Sequence, residues 1–105
     1  MTNFAKDVIG LCQIVPRNRI NDPLVSQLIR SSGSVGANYR EANEAISKKD
    51  FIYRLRTARK EAKESDHWFE LLTEAYPSGA QDIDILRKEA TELRNILSAI
   101  IFKVE

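Results

Sequence analysis

The sequence predicts an all-α fold: an antiparallel up-and-down four-helix bundle in a single domain, residues 1–105. Three observations carry this. Apolar residues recur at steps of three and four along four separate segments, the spacing that keeps one face of a helix against a partner. Gly and Pro total only seven, too few for a sheet protein full of tight turns. No segment alternates apolar and polar residues as a half-buried strand does. With 105 residues and 43% hydrophobic positions, the chain can bury one core and has no room for a second.

The first helix is predicted over 3–15 from Phe4, Val8, Leu11 and Val15, and Pro16 ends it. The second, over 23–46, opens at Asp22-Pro23, an N-cap residue followed by a proline whose missing N–H costs nothing in the first turn. Its stripe reads Leu24, Leu28, Ser31, Val35, Asn38, Ala42, Ala45, so two polar residues occupy core positions. Ser31, Ser32, Gly33, Ser34 and Gly36 are poor helix-interior residues, and the patch is read as a place of close helix packing. A phosphate-binding loop is excluded there, because no GxxxxGK[ST] run and no preceding strand exist.

The third helix, over 47–76, starts at Ser47-Lys48-Lys49-Asp50, a capping box with Asp in place of Glu. Its stripe is Phe51, Leu55, Ala58, Ala62, Ser65, Phe69, Leu72, Tyr76. Tyr76-Pro77-Ser78-Gly79 breaks it, and Asp82 is the N-cap candidate for a fourth helix over 82–104. That helix carries Ile83, Leu86, Ala90, Leu93, Leu97, Ile100 and Val104. At 1.5 Å per residue the third helix spans about 45 Å, the second and fourth about 35 Å and the first only about 20 Å.

Several large apolar residues fall outside these stripes: Ile52, Tyr53, Trp68 and Leu71 on the third helix, and Ile85, Ile96, Ile101 and Phe102 on the fourth. A chain this short has little reason to leave them all in water, so Trp68, Ile96, Ile101 and Phe102 are expected at a subunit interface.

The formal net charge of +1 hides a segregation of sign. Residues 1–63 hold 12 Lys/Arg against 6 Asp/Glu, and residues 64–105 hold 4 against 9. The excess concentrates on the third helix, where Lys49, Arg56 and Lys63 recur every seven residues with Lys60 beside them. Lys48 and Arg40 add to it. Such a strip suits a phosphate backbone. The bland alternative is a solvated face paired internally, Lys60 with Glu64 and Arg59 with Asp66.

Catalytic chemistry finds no support. There is no Ser/His/Asp arrangement, no nucleotide fingerprint and no carboxylate pair placed for acid–base work. A di-metal carboxylate bundle needs two Glu-x-x-His pairs, and Glu64-Ser65-Asp66-His67 supplies one, with the chain's sole histidine. Cys12 lies one step off the first stripe and reads as core. No enzyme activity, cofactor or metal is expected. The opening MTNFAKDVIG has no basic, apolar and cleavage regions of a signal peptide, and no apolar run approaches the roughly 20 residues of a membrane span. A cytoplasmic location without membrane contact is therefore expected.

The run from Leu28 to Ala42, continued by Lys49-Asp50-Phe51 and by Ala58 to Trp68, resembles the four-helix-bundle family of 23S ribosomal RNA intervening-sequence proteins. Ser34, Asn38 and Glu41 match its Ser-x-x-x-Asn-x-x-Glu-Gly pattern, with Ala42 where Gly is common, and Glu61 lies in the matching Ala/Glu-rich helix. The resemblance implies an up-and-down bundle, a ring-like homopentamer with a central channel, and no catalytic residues. It extends to the similar accessory variability determinant of diversity-generating retroelements, which binds nucleic acid and a reverse transcriptase. The expectation is thus a non-enzymatic oligomer that binds RNA or DNA through Lys48, Lys49, Arg56, Lys60, Lys63 and Arg40. A reverse transcriptase or another nucleic-acid enzyme would be its partner. The other reading is a homo-oligomeric protein-interaction scaffold, in which basic and acidic halves of neighbouring copies meet without nucleic acid.

Overall fold

The computed structural model describes all 105 residues. Four helices follow in order: α1 (Thr2–Ile14), α2 (Asn21–Asn43), α3 (Lys48–Ala75) and α4 (Ala80–Val104), with a 3-10 turn at Pro77–Gly79 before the last. They form an elongated bundle of 44 × 19 × 18 Å. Each helix packs on its chain neighbours and α1 closes the square against α4. Side-chain pairs fix the directions. Ser31 and Asn38 of α2 meet Ser65 and Arg54 of α3, and Arg59 and Asp66 of α3 meet Ser98 and Arg87 of α4. Numbers rise on one helix as they fall on the next, so both pairs are antiparallel.

The caps differ instructively from the sequence reading. Ser47 does cap α3, its side chain accepting from the Asp50 N–H at 3.1 Å. Asp22 does not cap α2. The helix starts at Asn21, and Asn18 Oδ1 accepts from the N–H groups of Ile20 (2.9 Å) and Asn21 (2.7 Å). Asp22 instead sits in the first turn, where its charge complements the helix dipole, and pairs with Arg17. Asp82 likewise lies in the first turn of α4, because the turn at Pro77–Gly79 carries the chain into that helix two residues early. Helix α2 ends at Asn43, three residues sooner than expected. Val15, extended before Pro16 as steric clash with the proline ring requires, ends α1 while staying buried.

The core contains the predicted stripes of α1 and α3 almost unchanged: Phe4, Val8, Leu11 and Val15, then Leu55, Ala58, Ala62, Ser65, Phe69 and Leu72. Phe4 and Phe69 meet edge to face across it, ring centroids 6.3 Å apart. On α2, Ser31 and Ser32 are fully buried, and Ser31 Oγ lies 2.9 Å from Ser65 Oγ. Ser31 Oγ also lies 3.3 Å from the Leu28 carbonyl and Ser65 Oγ 3.0 Å from the Glu61 carbonyl, so one hydroxyl donates to the other and the accepting one donates to its own helix. Two small polar residues thus let α2 and α3 approach closely with every buried hydroxyl satisfied. Gly33 plays no part in that contact: it faces open space, and only Gly36 approaches another element, the start of α1.

On α4 the stripe departs from expectation at its end. Ile83, Leu86, Ala90, Leu93 and Leu97 are buried as read, but the next core residue is Ile101, 3% exposed, and Ile100 is half-buried. Ile101 is therefore not an interface residue. A straight helix drifts about 20° per heptad from a 3.5-residue stripe, enough to move the core one residue along by its last turns.

Two outcomes follow from this packing. Ser31→Ala and Ser65→Ala should each cost about 1 kcal/mol in urea unfolding, and the double variant less than their sum, because one shared hydrogen bond is removed twice. Gly33→Ala should raise stability by up to about 1 kcal/mol, since a Cβ meets nothing there and helix propensity improves.

Candidate nucleic-acid interface

Helix α3 divides its circumference four ways. One side is core. A second faces α2: Glu61 accepts from Arg30 Nη1 at 3.3 Å, and Arg54 Nη1 donates to Asn38 Oδ1 at 3.4 Å. A third faces α4, with Arg59 donating to Ser98 Oγ at 3.3 Å and Asp66 taking Arg87 at 2.9 and 3.4 Å. Between these flanks, pointing outward, run Lys49, Arg56, Lys60 and Lys63, all exposed.

The internal pairings that would have neutralised this face do not form. Glu64 is taken by Arg30 of α2 and also accepts from Trp68 Nε1, and Asp66 is taken by Arg87 of α4. The hydrogen bond to Asp66 holds Arg87's charge more firmly, with burial opposing it in part. Lys60 and Lys63 consequently have no carboxylate within ion-pair distance; Lys48 and Lys49 have none either, while Arg56 pairs with Glu105 at the end of α4. That pair is exposed on both sides, so water and salt weaken it and a phosphate can compete.

Arg40 does not join the strip. It lies two residues past Asn38, about 200° around α2 from the α3-facing side, and lines the groove with Thr2, Ala5 and Gly36 at the start of α1. Helical phase, invisible while the helices were unplaced, separates it from the other cations.

The four family-pattern residues have unequal parts. Asn38 bridges helices, donating to the Ser34 carbonyl at 2.9 Å while accepting from Arg54, and Glu61 anchors Arg30. Ser34 contributes its backbone oxygen, and Glu41 is exposed without an ion-pair partner. Arg30, which the sequence reading passed over, is the hub here: it also donates to Gln27 and reaches both Glu61 and Glu64. Its signal was present, a lone cation among the small residues opposite Glu61, but only the helix register pairs them.

Of the residues expected at a subunit interface, Ile101 is core, and Trp68 is half-buried against the core with His67 at 4.9 Å, edge to face. Ile96 (50% exposed) and Phe102 (82%) remain, but six residues separate them, about 120° around α4, so they face different surroundings. Ile85, eleven residues before Ile96 and so about 20° from it around α4, is 59% exposed, shares its side, and with Ile14 lines a groove of about 370 Å³ between α1 and α4. Asp7, Asp82 and Glu89 line the same groove with no ion-pair partner. Burial raises the Glu89 pKa, and repulsion from Asp7 and Glu92 adds to it. No group of His, Cys, Asp and Glu is placed to hold a metal ion, and no helix is long and apolar enough to cross a membrane.

These features define a class: small up-and-down helical bundles whose longest helix offers a cationic outer face. Residues 1–99 match the family described as 23S rRNA-intervening sequence protein, and the chain belongs to it. It is also similar to a crystal structure, at 1.70 Å resolution, of a protein of unknown function from the S23 ribosomal protein family of Bacteroides thetaiotaomicron. Identity is 33% over 95% of this chain and 93% of that one, with a TM-score of 0.83. No curated protein matches.

Burial pushes the Cys12 thiol up to about 11, so the thiolate is scarce at neutral pH. Native protein at pH 8 should therefore react with a thiol reagent far more slowly than the same protein in urea. The sign for stability follows. Above about pH 9 the unfolded chain ionises first, so Cys12 weakens folding as pH rises towards about 11, and Cys12→Ala should flatten that part of a stability profile.

Proposed function

We propose that this chain is a non-enzymatic, oligomeric helical bundle that binds RNA or DNA electrostatically through the outer face of α3. The observation that carries the reading is the unpaired state of Lys49, Lys60 and Lys63; the carboxylates within reach of Lys60 and Lys63 along the helix, Glu64 and Asp66, are drawn off by α2 and α4. Lys48 and Arg56 extend the surface towards the start of the helix. Family membership supports an association with ribosomal RNA, because the family is described by its intervening-sequence origin. A role beside a reverse transcriptase rests on likeness to the accessory variability determinant alone. Self-association, with five copies by the same likeness, is supported by Ile14, Ile85 and Ile96, which leave an apolar side of α1 and α4 in water.

Labelled single-stranded RNA and duplex DNA, followed by fluorescence anisotropy, test the reading. With four phosphate contacts, affinity should fall about fiftyfold for the single strand and about 150-fold for the duplex between 50 and 200 mM salt. Lys60→Glu with Lys63→Glu should abolish binding at both salts while the thermal midpoint stays within a few degrees. Unchanged affinity removes the strip from the proposal.

The unpaired Asp7, Asp82 and Glu89 favour one second reading, a scaffold in which this groove takes the basic α3 face of another copy. Under it, sedimentation shows oligomers that dissociate as salt rises, and nucleic acid does not bind even at low salt.

A further inference from the structure

The outer face of α3 is more than a row of cations. Lys49, Tyr53, Arg56, Lys60 and Lys63 follow one another at steps of four, three, four and three, so Tyr53 is a member of the strip. It is 60% exposed, and the Arg54 guanidinium lies over its ring at 5.6 Å from the centroid. Asn38 holds Arg54 in turn, and the Ser34 carbonyl holds Asn38. A relay of hydrogen bonds from α2 thus backs one face of an exposed aromatic ring.

A second ring stands nearby. The Arg56–Glu105 pair ties the two helices together at this level. Tyr53 lies three residues before Arg56 on α3, and Phe102 three residues before Glu105 on α4. The Arg59–Ser98 and Asp66–Arg87 contacts set the register of the antiparallel helices and put residues 100–104 of α4 level with Tyr53, so the two aromatics lie at about the same height along the bundle. Phe102 is 82% exposed. Beyond Lys63 and His67 the same face turns acidic at Glu70 and Glu74, which ends the cationic stretch after about 21 Å from Lys49 to Lys63.

We infer that this surface selects single-stranded nucleic acid over duplex, with unpaired bases stacking on Tyr53 and Phe102 while Lys49, Arg56, Lys60 and Lys63 hold the phosphates. The inference rests on the nucleic-acid reading above and adds the substrate class to it. A duplex keeps its bases stacked and shows a helix only their edges, sugar and phosphate, so exposed rings find no base face to stack on. A single strand can splay bases onto any flat π-face, whatever its sequence. Exposed aromatics among cations on one helix face give affinity to the second kind of ligand only.

The test uses a fluorescein-labelled 20-nucleotide oligo(dT) and a 20-base-pair duplex at 50 mM salt, with the full chain and with Tyr53→Ala, Phe102→Ala and Tyr53→Phe. Both side chains are exposed, so circular dichroism should show the fold unchanged. Each alanine variant should weaken oligo(dT) binding about tenfold and duplex binding less than twofold, and Tyr53→Phe should retain affinity. A 2-aminopurine in the strand should be quenched by the full chain and less by the alanine variants. Equal losses on both ligands, or no loss on oligo(dT), overturn the stacking role. If the full chain binds duplex and Lys60→Glu/Lys63→Glu abolishes that binding while the aromatic variants change nothing, only this inference falls. If the full chain binds neither ligand, the nucleic-acid reading falls with it.

Discussion

Everything in this molecule hangs on the way α3 is gripped from two sides. Its core stripe, with Ala58, Ala62 and Ser65 at the centre, is narrow and small, so α2 and α4 both come close to its axis. Close approach brings long side chains on the flanks within reach across the helix boundaries. Arg30 reaches Glu61 and Glu64 from one side, and Arg87 reaches Asp66 from the other. These partly exposed pairs contribute modestly to stability, and their larger effect is on register and on which charges stay free.

That effect explains the asymmetry of the surface. A helix this rich in both signs could neutralise itself by pairing residues three and four apart. Here the acidic members of those pairs are engaged by neighbouring helices with better geometry, the Asp66–Arg87 contact being bidentate. The lysines on the outer face are left to solvent. The near-zero total charge is set by composition and the basic strip by this arrangement, so neither contradicts the other.

The short first helix shapes the other side. Ile14 and Leu11 of α1 lie against Asp82 to Leu86 of α4, and Asp7 lies against Glu89, so one helix advances as the other recedes. By that register the start of α1 falls near residues 95–96 of α4. The last turns of α4 have no α1 beside them, and there the core shifts from Ile100 to Ile101. The uncovered apolar side that remains, with Ile96 half in water, belongs to the same shortfall in length.

The amino-acid sequence by itself determined the helix count and most of the core. Helical spacing of large apolar residues is a local property, and burial follows it wherever a partner helix runs alongside, as for Phe4 to Val15 and Leu55 to Leu72. It also determined the cap at Ser47, whose hydrogen bond closes within four residues. Two other helix starts differ from the sequence reading although they are just as local: Asn18 caps α2 across two and three residues in place of Asp22, and the turn at Pro77–Gly79 moves the start of α4. The candidate site was legible as a set of cations at heptad spacing, and Lys49, Arg56, Lys60 and Lys63 do share one exposed face. What only the tertiary structure decided is which of them are free, that Arg40 stands apart, and that Ile101 is core while Phe102 is not. Each depends on the rotation of one helix about its axis relative to another, which is set by packing between residues tens of positions apart. No local pattern carries that rotation.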